Sequence, residues 1–351
     1  MYHRLYCFAS DDNVGPIEDS MTNSVPRQLT SLSVIIPGLN EADNLLVLYQ
    51  ELIRTLGSSS WELEILFVDD GSTDQTLSIC RELHSRDPRF QYASLSRNFG
   101  HQHALTAGLD LARGQAVVII DADLQDPPAV ILEMIKLWEQ GVEVVYGQRR
   151  SREGETVFKL ATAKLFYWIL RHIATTQIPE DTGDFRLMDR KVVDQLKKMR
   201  EKGRFMRGLV SWVGFSQQAV LYERQARNQG RTKYPFLRML RFAWDGVTSF
   251  SVTPLRLATL AGVAFSFLAF AMVGYYIFRK IYFDDLIKGW ASVMIAIFGV
   301  GGVQLLFIGV IGEYLAKAFE EVRERPLYIL KESSVPSDLA SPEATSRTPA
   351  S

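Results

Sequence analysis

The chain has 351 residues, of which 47% are hydrophobic, and a formal net charge of −1; it is long enough for one or two domains with a substantial core. This balanced charge gives no electrostatic basis for binding nucleic acid, which we exclude as a partner. The two cysteines form no Cys-x-x-Cys pair and no Cys/His cluster, which argues against a zinc site and a disulfide framework.

Both ends of the chain have the composition of disordered segments. Residues 1–29 mix Asp, Asn, Ser, Pro and Arg, and they lack the continuous apolar core of a signal peptide. Residues 332–351 are rich in Ser, Pro, Ala and Thr. We therefore expect a disordered N-terminal segment and a disordered tail, with the chemistry between them.

Strands and helices are predicted to alternate through the first half of the chain. Apolar runs predict strands at 31–37, 63–68, 90–95, 117–120 and 142–147. Helical periodicity follows each of them, and Asn40 is predicted to cap the first helix. Such alternation indicates an α/β, Rossmann-like domain with a mostly parallel sheet. Right-handed crossovers then bring the carboxyl ends of the strands to one edge.

The stretch VVIIDADLQDPP, residues 117–128, is central to this edge. Asp121 and Asp123 are two residues apart, so on an extended backbone their side chains point to the same side. Paired carboxylates at the end of a buried strand suit Mg²⁺ or Mn²⁺, whose remaining ligands are waters and substrate phosphates. The alternative is that they only cap the following helix, but ligands of open α/β sheets bind at this end of the strands.

Other polar side chains are predicted at the same edge: Asn40, Glu41, Asp69, Asp70, Arg97 and Arg149. The sequence contains no Gly-x-Gly-x-x-Gly loop and no Walker-type loop. A nucleotide would therefore be held by carboxylates and a metal ion.

The second half of the chain indicates a membrane protein. Residues 257–278 and 290–312 carry no charged side chain, and each run is long enough to span a bilayer as a helix. The alternative is a pair of core helices in a soluble domain. The short connection at 279–289 predicts a transmembrane hairpin with both flanks on one side. Without a signal peptide, we place the catalytic domain and both termini in the cytoplasm, at the inner or plasma membrane.

The segments that flank the hairpin are expected to lie near the membrane. Residues 235–256 interleave aromatic and basic side chains and predict an amphipathic helix on the membrane surface. Residues 313–331 are expected to form a cytoplasmic juxtamembrane segment. Before these, Asp181–Arg186 is predicted as a loop that leads into a further strand, and 230–234 as a basic turn.

The chain resembles glycosyltransferase family 2, and within it the polyprenyl-phosphate glycosyltransferases. These include dolichyl-phosphate mannose and glucose synthases and bacterial undecaprenyl-phosphate enzymes. The motifs are VIIPGLNE, VDDGSTD, SRNFG, DADLQDPP, GQRR, TGDFRLMDR, GRTKY and IGEYL. The resemblance extends roughly from Leu32 to Tyr328 and implies a GT-A catalytic domain at 30–234. Gly38-Leu39 departs from the family, which more often has a bulky residue there, and this affects the prediction of the donor.

The resemblance also implies roles for individual residues. It assigns nucleotide-sugar binding to Pro37, Asn40, Glu41, Asp69, Asp70 and Asp121. It assigns the metal ion, Mg²⁺ or Mn²⁺, to Asp121, Asp123 and Gln125, and phosphate binding to Arg149, Arg186 and Lys233. The catalytic candidates are Asp123, Asp184 and Arg186. The alternative for each basic residue is a surface salt bridge, and for Asp184 a structural role.

The implied reaction is an inverting transfer of a sugar, with glucose from UDP-glucose as our hypothesis, to polyprenyl (undecaprenyl) phosphate. A phosphate monoester with a second pKa of about 6 is already mostly dianionic at neutral pH, so no strong general base is needed. UDP-aminoarabinose derivatives, UDP-GlcNAc, UDP-galactose and GDP-mannose remain alternative donors. His101 and His103 are expected to be structural, since their spacing pairs them with no other ligand.

Two other classes of function compete with this one. A lipid-sugar flippase would need more than two membrane helices in each chain, or the assembly of several chains, and the sequence leaves the homo-oligomeric state open. A non-catalytic membrane scaffold is disfavoured because Asp121, Asp123, Arg186 and Lys233 are all present.

Overall fold

The structure is a computed structural model, and it describes residues 27–149, 182–223, 253–283 and 289–336. Four regions with predictions lie outside these ranges: the N-terminus to residue 26, the basic turn at 230–234 with Lys233, most of the amphipathic segment at 235–256, and the tail after residue 336.

The described residues form eight strands and eight helices. The strands are β1 (Ser31–Gly38), β2 (Glu62–Asp69), β3 (Phe90–Leu95), β4 (Ala116–Ile119), β5 (Val144–Arg149), β6 (Thr182–Asp189), β7 (Gln217–Tyr222) and β8 (Leu330–Ser333). The helices are α1 (Ala42–Leu56), α2 (Thr76–Arg86), α3 (His101–Leu111), α4 (Ala129–Glu139), α5 (Arg190–Lys198), α6 (Met206–Trp212), α7 (Thr253–Phe283) and α8 (Trp290–Val322). The five strands predicted in the first half are confirmed, with their ends displaced by a residue or two.

The strands form a single mixed sheet in the order β7-β5-β6-β4-β1-β2-β3-β8. β1 pairs in parallel with β2 and β4, and parallel pairing also joins β2 to β3 and β5 to β7. β6 and β8 are antiparallel to their neighbours. The predicted, mostly parallel α/β sheet is thus confirmed. From β1 the chain continues to β2 on one side, whereas β4 lies on the other side of β1. Such a change of direction opens a crevice at the carboxyl ends of these strands.

The segment that we predicted as a loop, Asp181–Arg186, is mostly strand. Thr182–Asp189 inserts between β4 and β5, with Arg186 opposite Ile119. Two of its apolar side chains, Phe185 and Leu187, are buried on one face of the sheet, and Met188 is buried on the other. Because β6 runs antiparallel to β4, its beginning lies at the edge where β4 ends.

Helices cover both faces of the sheet. On one face, α1, α2 and α4 bury side chains such as Leu48, Cys80 and Trp138. On the other face, α3, α5 and α6 bury side chains such as Leu105 and Val193. Central strands buried on both faces read as continuous apolar runs, which is why the sequence revealed them.

The two long C-terminal helices contain the predicted membrane spans. α7 and α8 contact each other, and many of their apolar side chains are exposed, for example Phe270 (78%) and Leu305 (71%). Such exposure is the opposite of what core helices of a soluble domain would show. Among the described residues, Gly299–Val322 is long and apolar enough to cross a membrane, and Ala258–Met272 is a shorter apolar helix.

The chain after α8 returns to the sheet. Leu330–Ser333 pairs antiparallel with β3, Glu332 forms an ion pair with Arg81 at 2.6 Å, and Val335 is buried. The prediction of disorder from Glu332 onward is therefore wrong for residues 332–336. The composition rich in Ser, Pro, Ala and Thr predicts disorder incorrectly here, because a short edge strand needs few apolar residues when its backbone bonds to a neighbouring strand.

Candidate active site

The residues after β4 form the floor of the crevice. Asp121 is partly exposed, whereas Gln125 and Asp126 are buried. The chain turns sharply at Leu124, whose φ is +59°, and the backbone N–H of Gln125 donates to Asp123 Oδ1 at 3.2 Å. The turn keeps the DADLQD stretch compact at the end of the strand.

Negative charge is concentrated at Asp121. Partial removal of this carboxylate from water raises its pKa to about 6. The negative charges of Asp126, Asp184 and Asp123 add to the rise, whereas His101 opposes it. Crowded carboxylates of this kind are stabilised by a cation. The described residues contain no group of three or more His, Cys, Asp or Glu placed to bind a metal ion by themselves.

Asp69 and Asp70, at the end of β2, are both buried and hydrogen-bonded within the protein. Asp69 accepts from the hydroxyl of Ser94 at 2.7 Å and from the backbone N–H of Ser72 at 2.9 Å. Asp70 accepts from the backbone N–H of Phe99 at 2.8 Å. These carboxylates therefore fix the loops that follow β2 and β3, in addition to any contact that they make with a nucleotide.

The loop after β1 is tied to the loop after β2. Asn40, with φ of +58°, donates its backbone N–H to the Ser72 hydroxyl at 2.8 Å and accepts from the backbone N–H of Thr73 at 2.9 Å. The prediction that Asn40 caps α1 is wrong, because Glu41 occupies the N-cap position and makes no side-chain capping bond. Asn40 instead joins two loops of the crevice.

One of the residues assigned to the nucleotide pocket, Pro37, lies at the end of β1. Pro37 is buried within the strand, opposite Val68 of β2. A Cβ atom at Gly38 would lie 2.5 Å from the ring of Phe67. The position of Phe67 therefore favours glycine here, where this chain departs from the family pattern. Leu39 beside it is 38% exposed and is available to form a wall of the crevice.

Asp184, near the beginning of β6, is the centre of a network of side chains. Arg207 Nε donates to its Oδ1 at 3.0 Å, and Gln102 Nε2 donates to its Oδ2 at 3.2 Å. His101 Nε2 lies 3.3 Å from Oδ2 of Asp184 and 3.8 Å from Oδ1 of Asp121. The surroundings of this carboxylate thus bring together three parts of the chain: the segment after β4, the start of α3 and the start of α6.

The histidine His101, which the sequence predicts to be structural, lies with its ring between two candidate site residues. Burial disfavours the imidazolium, yet Asp184 and Asp121 outweigh that effect and raise the pKa of His101. One signal was available in the sequence: His101 directly follows SRNFG, at the carboxyl end of β3. For Gln102 and Arg207 we find no comparable local signal.

Two of the three basic candidates, Arg149 and Arg186, lie on the neighbouring strands β5 and β6. Arg186 is 3% exposed, donates from Nη2 to the carbonyl of Gly183 at 2.9 Å, and has an Nε with no hydrogen-bond partner among the described residues. Burial lowers its pKa to about 10, although Asp184 opposes the shift, so it stays charged at neutral pH. Within the same described part, the buried Nε of Arg149 also lacks a partner. Unpaired buried donors of this kind fit an anion.

Comparisons with known proteins give one consistent family. The family model described as "Glycosyl transferase family 2" matches residues 33–197. The uncharacterized glycosyltransferase YkcC of Bacillus subtilis (strain 168) is 48% identical over 86% of this chain and 93% of its own length. The prophage bactoprenol glucosyl transferase homolog of Escherichia coli (strain K12) is 39% identical over 86% of this chain and 98% of its own.

Similarity to solved structures is more distant. The mannosyl-3-phosphoglycerate synthase of Rubrobacter xylanophilus has a TM-score of 0.42 and is 22% identical, over 66% of this chain and 75% of that one. Sequence identity to relatives over nearly their whole length agrees with the motifs found along the chain. The protein is an enzyme that belongs to glycosyltransferase family 2.

Proposed function

We propose that this enzyme transfers glucose from UDP-glucose to a polyprenyl phosphate and so forms a lipid-phosphate-linked sugar. The observation that carries the proposal is similarity over almost the full length of proteins named bactoprenol glucosyl transferase, such as that of Shigella phage SfII at 39% identity. The site adds the chemistry: carboxylates follow β4, and two arginines on β5 and β6 each have a buried Nε without a partner among the described residues.

The nucleotide binds, in this proposal, at the loops after β1 and β2. Asn40 and Glu41 line one side, and Asp69 or Asp70 contacts the base and ribose. The hydrogen bonds between these loops and the buried carboxylates hold the pocket in one shape before the donor arrives, which lowers the entropy cost of binding. Leu39 and Pro37 supply apolar contacts to the base.

Asp121 and Asp123 suit a divalent cation, and Gln125 could supply a further oxygen. Two carboxylates are the usual protein share of a Mg²⁺ site, where substrate phosphates and water complete the shell. When bound, the cation would neutralise charge on the departing diphosphate. We propose Mg²⁺ or Mn²⁺ as cofactor, held jointly by these residues and the donor.

The acceptor phosphate attacks the anomeric carbon directly in this scheme. Arg149, Arg186 and Lys233 bind phosphate, either that of the lipid or that of the leaving group, because guanidinium groups match phosphate oxygens. A single displacement inverts the anomeric configuration. Asp184 has an orienting role in the crevice and does not act as a general base, since the phosphate needs no base to become a nucleophile.

We further propose that α7 and α8 form a transmembrane hairpin. Their exposed apolar side chains would contact lipid, and the short connection places both ends on one side. The return of the chain to β3 after α8 would keep the crevice close to the membrane surface, where the lipid phosphate lies. The catalytic domain is then cytoplasmic, together with both termini.

The test is the transfer of radiolabelled sugar to undecaprenyl phosphate by the full-length protein in detergent. The panel contains UDP-glucose, UDP-galactose, UDP-GlcNAc, a UDP-aminoarabinose derivative and GDP-mannose. We expect metal-dependent label in the lipid phase from UDP-glucose. Label from a different donor would overturn the assignment of the sugar, and no label from any donor would overturn the proposed reaction.

A further inference from the structure

The carboxylate of Asp184 is held at both of its oxygen atoms. Arg207 bonds to Oδ1 at 3.0 Å, while Gln102 and His101 approach Oδ2 at 3.2 and 3.3 Å. The Asp184 side chain is only 6% exposed. A buried carboxylate bonded on both sides cannot rotate without breaking hydrogen bonds in a poorly solvated place, which is costly.

The element that carries Arg207 is itself fixed to this network. The backbone N–H of Met206, the first residue of α6, donates to Gln102 Oε1 at 2.8 Å. The amide of Gln102 therefore bonds to α6 with one atom and to Asp184 with the other. Through this amide, the position of Arg207 is set relative to α3, the helix whose first residue contacts both Asp184 and Asp121.

Charge supports the same arrangement. Burial alone would raise the pKa of Asp184, but the hydrogen bond from His101 and the charges of Arg207 and Arg186 outweigh it, so that this pKa lies well below its ordinary value. A carboxylate that is so strongly stabilised in its charged form is a weak base. Its value to the reaction is then its fixed position and its charge.

We propose that Arg207 is a positioning residue, which acts on the reaction through Asp184 by holding that carboxylate beside His101 and Asp121. The inference rests on the proposed function, since it concerns the same crevice. The side chain of Arg207 is 31% exposed, and its Nε–H group donates the hydrogen bond to Asp184. In this role it determines where the charge of Asp184 lies in the crevice.

A double-mutant cycle tests this role in the full-length protein. Arg207→Gln alone should lower kcat for sugar transfer about 30-fold, because a small displacement of a group that orients a reactant has an effect of this order. In an Asp184→Asn background, the same change should lower kcat no more than about threefold, since residues that act as a unit are not additive. The dissociation constant for UDP with Mg²⁺ should stay within about twofold, as expected for a residue that does not touch the donor.

Two further variants separate positioning from folding. Arg200→Gln is the matched control, because Arg200 pairs with Asp110 at 2.7 Å with similar exposures, 40% and 9%, outside the crevice; its kcat should stay near the wild-type value. Arg207→Lys keeps the charge but loses the planar fork, and it should fall between wild type and Arg207→Gln. Thermal unfolding midpoints are measured for every variant.

The outcomes distinguish the two levels of the proposal. Losses that multiply in the double variant, or a tenfold weaker affinity for UDP, would overturn the positioning role and make Arg207 an independent or donor-binding residue. If the wild-type protein transfers no sugar to lipid but hydrolyses UDP-glucose, the proposed acceptor is wrong. The double-mutant cycle is then measured with the rate of UDP-glucose hydrolysis. A wild type that does neither would overturn the function and this inference together.

Discussion

His101 Nε2 and Asp184 Oδ2 lie 3.3 Å apart, and the same nitrogen lies 3.8 Å from Asp121 Oδ1. One imidazole thus stands between two carboxylates that are far apart in the sequence, one from the segment after β4 and one from β6. The two carboxylates repel each other, and a ring with a raised pKa offsets that repulsion. The histidine is therefore part of the crevice.

Replacing His101 with Gln should lower kcat by about tenfold, because Asp184 loses a hydrogen-bond partner of considerable strength. The measurement is sugar transfer at saturating donor and acceptor. His84→Gln is the control, since His84 bonds to the carbonyl of Phe90 away from the crevice. Wild-type turnover in His101→Gln would return this residue to a structural role.

Asp121→Asn and Asp123→Asn should each reduce turnover at least about 100-fold while the protein remains folded, because each removes a charged ligand of the proposed cation. Asp43→Asn, an exposed residue in the first turn of α1, should behave as wild type. Steady-state transfer and thermal unfolding are measured together. Near-normal activity in either crevice variant would contradict the metal site.

UDP should raise the unfolding temperature of the wild-type protein only when Mg²⁺ or Mn²⁺ is present. A ligand that binds only the folded state stabilises it by about 2.7 kcal/mol at 100 times its dissociation constant. Differential scanning fluorimetry with and without EDTA measures the shift. An equal shift in EDTA, or a full shift in Asp121→Asn, would argue against a shared metal and diphosphate site.

Deleting residues 332–351 should destabilise the catalytic domain, because it removes the buried side chain of Val335 and the ion pair between Glu332 and Arg81. Burial of one valine contributes about 2 kcal/mol, which corresponds to a decrease of about 5 °C in the unfolding midpoint. Deleting 337–351 leaves β8 intact and is the matched control. Equal midpoints for both truncations would mean that β8 does not stabilise the domain.

Much of the fold could be predicted because local patterns report it. Val117–Ile120 is apolar at every position and ends in Asp121, so both the strand and the candidate ligands were visible together. The strand β6 was missed in part because Gly183, Asp184 and Arg186 are unusual in a central strand. The two polar side chains are accommodated there by hydrogen bonds: Asp184 accepts from Arg207 of α6, and Arg186 donates to the carbonyl of Gly183.

The sequence by itself determined the α/β alternation, the edge that carries the carboxylates, the apolar C-terminal runs and the resemblance to a family. Each of these depends on residues that are neighbours along the chain. Only the tertiary structure decided that His101, Gln102 and Arg207 surround Asp184 and that β8 pairs with β3. Such contacts join segments separated by many residues, and they are set by strand order and helix packing, which no local pattern encodes.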